Sequence, residues 1–220
     1  MNFDWIDNPI VRGISRLVDF VILNLLWLVC SVPVITIGAS TTALFSVTLK
    51  LVKNEEGYIV KGYLKAFKEN WKQSTALWSI FLLADIALII DFSALKLMSD
   101  NLATFYRVLF GIMACLLFSA MIYAFGLQAR FVNTVKNTLK NAVILVFARL
   151  PYTALLLVIT IAPVIVTFLT AQTLVIGFIV WLFIGFAAVA SLQSLVLRCV
   201  FDKLKQLVKS EDEETEAAEE

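Results

Sequence analysis

The sequence has no histidine, and only three cysteines, four prolines and eight glycines among 220 residues. Missing histidine removes the commonest general base and the commonest transition-metal ligand. Cys30, Cys115 and Cys199 stand singly inside apolar runs. They read as buried, inert thiols rather than a disulfide framework or a metal cluster. Charge is scarce too: 16% of residues, against about 25% in soluble domains. No continuous basic face of the kind that nucleic acid demands is present. No catalytic, cofactor or metal-binding constellation is expected.

Apolar residues are what the chain has in excess. They make up 60% of it, with a mean hydropathy of +0.89. A water-soluble particle could not hide that much apolar surface, so the lipid bilayer is the expected solvent. About 20 consecutive apolar helical residues cross a bilayer core. Segments 74–97, 102–127, 142–170 and 173–197 pass that test, and 17–37 passes it despite Asp19, Asn24 and Pro33. Thr36-Ile37-Gly38-Ala39-Ser40-Thr41-Thr42 follows, a helix-breaking and N-capping composition. A short, half-apolar helix at 39–52 comes next, compatible with a tilted sixth span, a re-entrant element or an interfacial helix. The expected fold is all-α: one polytopic transmembrane bundle over residues 1–200, with five clear spans, the short sixth element and interfacial amphipathic helices. The first apolar run begins after sixteen residues of mixed charge and is longer than a signal peptide's apolar region, so it is expected to stay as an anchor.

The net charge of +1 hides a segregation of sign. Eight of the seventeen acids fall within residues 201–220, a tail without aromatics after Ser210 that is expected to be disordered. Six lysines lie from Lys50 to Lys72, Arg130, Lys136 and Lys140 lie at 128–141, and Arg198, Lys203, Lys205 and Lys209 follow the last span. The alternate loops at 98–101 and 170–172 are nearly bare. Basic loops face the cytoplasm, which puts the C-terminus inside and, with six spans, the N-terminus inside as well. Basic pairs four residues apart recur at Arg12/Arg16, Lys68/Lys72 and Lys136/Lys140. They fit three hairpins, by duplication or simply by the charge rule.

Val60, Tyr63, Leu64, Phe67 and Trp71 share one helical face, while Lys61, Lys65, Lys68 and Lys72 share the other. This predicts a basic amphipathic helix lying at the membrane interface. It reads first as a topology-fixing linker, and second as a docking surface for a partner or anionic lipid. Gly57-Tyr58-Ile59-Val60-Lys61-Gly62 has the glycine spacing of a phosphate loop, but Tyr63 and Leu64 occupy the positions of the required Lys and Ser/Thr. The match is accidental as a nucleotide motif.

Ionisable groups at membrane depth cost about 2.5–3.5 kcal/mol each and need a reason. Asp85 sits about 16 Å into its span and Arg149 about 10 Å into another, at ~1.5 Å per residue. Together with Asp19 they are the candidate buried polar site, Asp85 with Arg149 being the first pair to test. Asp91 and Arg107 reach nearly equal height across a helical hairpin and are expected to form a structural ion pair. Pro151 is expected to kink its span by freeing the carbonyl of Phe147. Gly111, Cys115 and Ser119, and the pairs Ala187/Ser191 and Ala190/Ser194, are small-residue ridges suited to close helix packing.

Asn24-Leu25-Leu26-Trp27-Leu28, the run from Cys30 to Leu44, Asn54-Glu55-Glu56-Gly57-Tyr58 and Phe67-Lys68-Glu69-Asn70-Trp71-Lys72-Gln73 together resemble the YesL-like family of bacterial integral membrane proteins, a domain of unknown function. Asn137-Thr138-Leu139-Lys140-Asn141 and Arg149-Leu150-Pro151 fit as well. The resemblance implies a bacterial cell-membrane protein connected with carbohydrate uptake, with ABC-type carbohydrate transporter subunits as partners. It brings no residue-level mechanism. Pro33, Gly38, Ser40 and Thr41 are candidate functional positions within its most specific run. The leading expectation is an accessory component of oligosaccharide uptake. A small transporter or channel with a midplane polar site is the alternative, and an enzyme is disfavoured.

Overall fold

The computed structural model describes residues 9–53, 55, 57–95 and 100–219. Among these there is no strand. In chain order they form α1 (Pro9–Ser31), a 3₁₀ turn (Val34–Thr36), α2 (Ile37–Leu51), α3 (Ile59–Ala94), α4 (Asp100–Arg130), α5 (Val135–Ala148), α6 (Leu150–Thr167), α7 (Ala171–Val180), a π-helical turn (Trp181–Gly185) and α8 (Phe186–Glu219). Six stretches are long and apolar enough to cross a membrane: Gly13–Ser31, Val34–Leu51, Ile59–Ser93, Leu102–Arg130, Leu150–Thr167 and Ala171–Gln206. Leu83, Ile89, Phe105, Val158 and Phe178 stand more than half exposed on the outside of these helices. Water would penalise such a belt, whereas hydrocarbon solvates it. The chain is a multi-pass helical membrane bundle.

The short element predicted at 39–52 is the centre of the molecule. In α2, 61% of the apolar stretch is buried, against 11–33% for the other five. It packs on α1, α3, α4 and α8. The chain does not break at Gly38–Thr42 as the composition predicts; it breaks at Val32 and Pro33, and those small residues form the first turns of α2. Proline lacks the donor that would continue α1 and pushes the preceding residue out of helical geometry. The hydroxyl of Thr36 then closes the corner, donating to the carbonyls of Cys30 (2.7 Å) and Pro33 (2.8 Å).

The basic amphipathic segment at 60–72 is not a separate interfacial helix. It is the first third of α3, a single helix of 36 residues, or about 54 Å, which overshoots a ~30 Å hydrocarbon core. Tyr63 and Ala66 of its apolar face are buried against the bundle, while Val60, Leu64 and Trp71 remain nearly half exposed.

The span predicted at 142–170 is interrupted. Arg149 alone leaves helical geometry (φ −131°, ψ 47°), separating α5 from α6. Pro151 causes this, and the Thr153 hydroxyl compensates by donating to the carbonyls of Val146 (3.1 Å) and Arg149 (3.2 Å). The last span carries a π-turn that no proline announces. Beyond it α8 continues to Glu219, although residues 201–220 are expected to be disordered. Their Lys, Glu, Ala and Leu content favours helix locally. Within the bare loop predicted at 98–101, residues 98 and 99 lie outside the described ones, as does the neighbouring Lys96.

The small-residue ridges divide. Ser119, Ala187, Ala190 and Ser194 are buried, but a Cβ on Gly111 would meet nothing within 4 Å and Cys115 is exposed. Close approach occurs instead at Gly38, where a Cβ would lie 2.5 Å from the Ser74 carbonyl oxygen and 2.6 Å from Trp78 Cβ, and at Gly126, 2.7 Å from Leu197.

Candidate functional site

The residues that sequence reasoning singled out in α2 do come together, on a seam of hydrogen bonds. The Ser40 hydroxyl donates to the Trp27 carbonyl (3.0 Å) and shares a 2.6 Å hydrogen bond with the Tyr63 hydroxyl. The Trp27 indole donates to Thr41 Oγ1 (3.2 Å). At the adjoining residue, the Ser74 hydroxyl donates to Thr42 Oγ1 (2.8 Å). Further down, Thr48 and Ser194 share a hydrogen bond of 2.7 Å. Ser40, Thr42, Thr48, Tyr63, Ser74 and Ser194 are fully buried, so α2 is tied to α1, α3 and α8 where water cannot compete. Pro33 stands at the corner that delivers α2, and Gly38 permits its contact with α3.

Asn24 on α1 was not anticipated as a site residue. It is fully buried, and it serves both ends of the π-turn. Its Nδ2 donates to the carbonyls of Trp181 (3.0 Å) and Leu182 (2.8 Å), and its Oδ1 accepts from the amide of Ala187 (3.1 Å). A π-turn leaves backbone groups out of register, and one side-chain amide satisfies three of them. The only sequence signal is a lone amide inside an apolar run.

Next to this junction lies a cavity of about 290 Å³ between α2, α4, α6 and α8, bordered by Trp27, Trp78 and Trp181. Phe186 stacks on Trp27 (centroids 4.2 Å apart) and leans on Trp181 (5.0 Å). Its polar edge is Gln193, whose amide donates to Thr160 Oγ1 at 2.7 Å. The Trp78 indole N–H is buried without a protein partner. A second, almost wholly apolar groove of about 560 Å³ adjoins it between α1, α6 and α7, sharing Val164, Trp181 and Phe186.

The predicted charged site does not assemble. Asp85 is half-buried on α3 and Arg149 sits at the α5–α6 break, and no ion pair joins them. Asp19 is half-buried on α1, on a different helix from both. Nor do Asp91 and Arg107 pair. Arg107 lines a groove with Ile89, Phe92 and Ser93 of α3, and Asp91 lies about 200° around that helix from Ile89 at ~100° per residue. Equal height did not mean equal face.

Charge does converge at one end of the bundle. Arg130 of α4 donates to Asp202 of α8 at 2.6 Å, and Arg198 approaches the same carboxylate at 3.6 Å. Arg198 also donates to the Val52 carbonyl at 3.0 Å, capping α2. Nearby, Gln128 of α4 donates to Gln73 (2.6 Å) and Asn70 (3.2 Å) of α3 and accepts from Thr138 of α5 (3.4 Å). This is the basic end.

Residues 20–92 match the model of a family described as protein of unknown function, DUF624. The match covers about half of α1, all of α2 and nearly all of α3, which carry most of the hydrogen-bonded seam, and it bears out the resemblance read from those segments. No curated protein and no solved structure matches the chain.

Proposed function

We propose that this chain is an accessory protein of the bacterial cytoplasmic membrane. In this reading both termini are cytosolic, and it serves carbohydrate (oligosaccharide) uptake by contact with ABC-type transporter subunits. The observation that carries the reading is how its interior polar groups are spent. Asn24, Ser40, Thr42, Thr48, Ser74 and Gln193 bond helix to helix or helix to π-turn, while Asp85 and Arg149 stay apart. Such an interior suits a rigid scaffold better than a solute path. The gathering of Arg130, Arg198 and the α3 lysines at one end supports a cytosolic basic face. The connection with sugar uptake is supported by the YesL-like resemblance alone. A chain without histidine also favours a non-enzymatic role. Affinity purification at native expression tests the proposal: recovery of transporter subunits supports it, and repeated recovery of the chain without them overturns it.

One observation favours a second reading, a small transporter. The cavity bordered by Trp27, Trp78 and Trp181 lies beside an interrupted helix, and interrupted helices often mark midplane sites. Liposomes containing the purified protein would then take up a labelled oligosaccharide. Absence of flux would remove this reading.

A further inference from the structure

The glycine-spaced segment with no use as a nucleotide motif borders a cavity of about 360 Å³ at the basic end, lined by its residues Gly57–Ile59, Lys61 and Gly62 together with Val47, Lys50, Glu55 and Lys65. Its electrostatics are lopsided. The first turn of α3 opens here, Tyr58 gives it no side-chain cap, and no acidic residue lies in that turn. Helix N-termini carry a partial positive charge and favour anions. Here Lys61 occupies the first turn instead, Lys65 follows, and Lys50 comes from the facing end of α2. Lys65 pairs with Glu69 at 3.9 Å, but both side chains are well exposed, and Glu55 is the only carboxylate among the described residues of the lining. The negative C-terminal end of α2 cannot fill the deficit, since Arg198 already caps Val52 there.

We infer that this cavity binds the phosphodiester headgroup of an anionic membrane lipid, with Lys50, Lys61, Lys65 and the first-turn amides of α3 as its donors. The surroundings select a lipid over a soluble phosphate. Tyr58, Val60 and Leu64 are 89%, 44% and 47% exposed beside the cavity, an apolar margin against which a lipid's glycerol and acyl chains can lie. Such a lipid would fix α3 in the leaflet and complete the basic end as a surface for a partner.

The test is native mass spectrometry of the full-length protein released from micelles containing phosphatidylglycerol or phosphatidylcholine. Wild type is expected to retain one phosphatidylglycerol in preference to phosphatidylcholine. Lys50→Gln, Lys61→Gln and Lys65→Gln, all on exposed side chains, should each weaken retention about fivefold, and the triple variant about a hundredfold. Lys68→Gln with Lys72→Gln, on the same helix but off the cavity, should leave it unchanged. Equal retention of both lipids, or equal loss in the control variant, would overturn the site. Displacement of the lipid by equimolar glycerol phosphate would overturn its assignment to lipid.

Discussion

Asn24 and Ala187 lie 163 residues apart in the chain and meet at 3.1 Å, the Ala187 amide donating to Asn24 Oδ1 deep inside the bundle. That bond, with the two that Asn24 donates to Trp181 and Leu182, fastens the first span to the irregular turn of the last. Asn24→Ala would leave three backbone groups unpaired in an apolar setting. It should lower stability by about 2 kcal/mol, a figure between soluble and in-membrane hydrogen-bond penalties. Reversible unfolding in mixed micelles measures it; a change below about 0.5 kcal/mol would mean that the π-turn is satisfied in another way.

Gly38 has no room for a side chain, because the Ser74 carbonyl and Trp78 Cβ already occupy the space. Gly38→Ala should therefore separate α2 from α3 and cost about 1–3 kcal/mol. Gly111→Ala, which meets nothing within 4 Å, should be neutral or slightly stabilising. The same unfolding assay compares them, and similar costs at both positions would show that α2 is not pressed against α3.

Asp85 and Arg149 should behave independently. A double-mutant cycle with Asp85→Asn and Arg149→Gln is expected to give a coupling below about 0.3 kcal/mol. A coupling above about 1 kcal/mol would restore the buried charged site that the sequence suggests.

Arg130 and Asp202 are a different matter, since the Arg130 side chain is only 12% exposed. Asp202→Ala strands that guanidinium and should cost about 2 kcal/mol, whereas Glu69→Ala, removing an exposed partner of Lys65, should cost about 0.3 kcal/mol. Equal effects would indicate that the basic end is loosely packed.

The spans were legible because apolar runs of this length leave helices few alternatives in lipid. The break before Pro151 follows from proline's missing donor, as the sequence predicts; the corner at Pro33 has the same cause, although the composition points to Thr36–Thr42 instead. Three features were not legible, each for a physical reason. Trp181-Leu182-Phe183-Ile184-Gly185 reads as ordinary apolar helix; its π-turn exists because a distant asparagine makes it tolerable. The small hydroxyl residues of Ile37–Leu51 read as breakers, yet inside a protein-lined interior they serve as interhelical ties. Asp91 and Arg107 were matched by depth, and depth carries no information about helix rotation.

The proposed function has α2 crossing the bilayer and returning the chain to the basic side, and single-cysteine labelling tests this most directly. In a background carrying Cys30→Ala, Cys115→Ala and Cys199→Ala, cysteines are placed at Val32, Tyr58, Val132 and Thr170, all well-exposed loop or cap positions. A membrane-impermeant maleimide applied to intact cells is predicted to label Val32→Cys and Thr170→Cys, and to reach Tyr58→Cys and Val132→Cys only after permeabilisation. Labelling of Val32→Cys and Tyr58→Cys from the same side would contradict it.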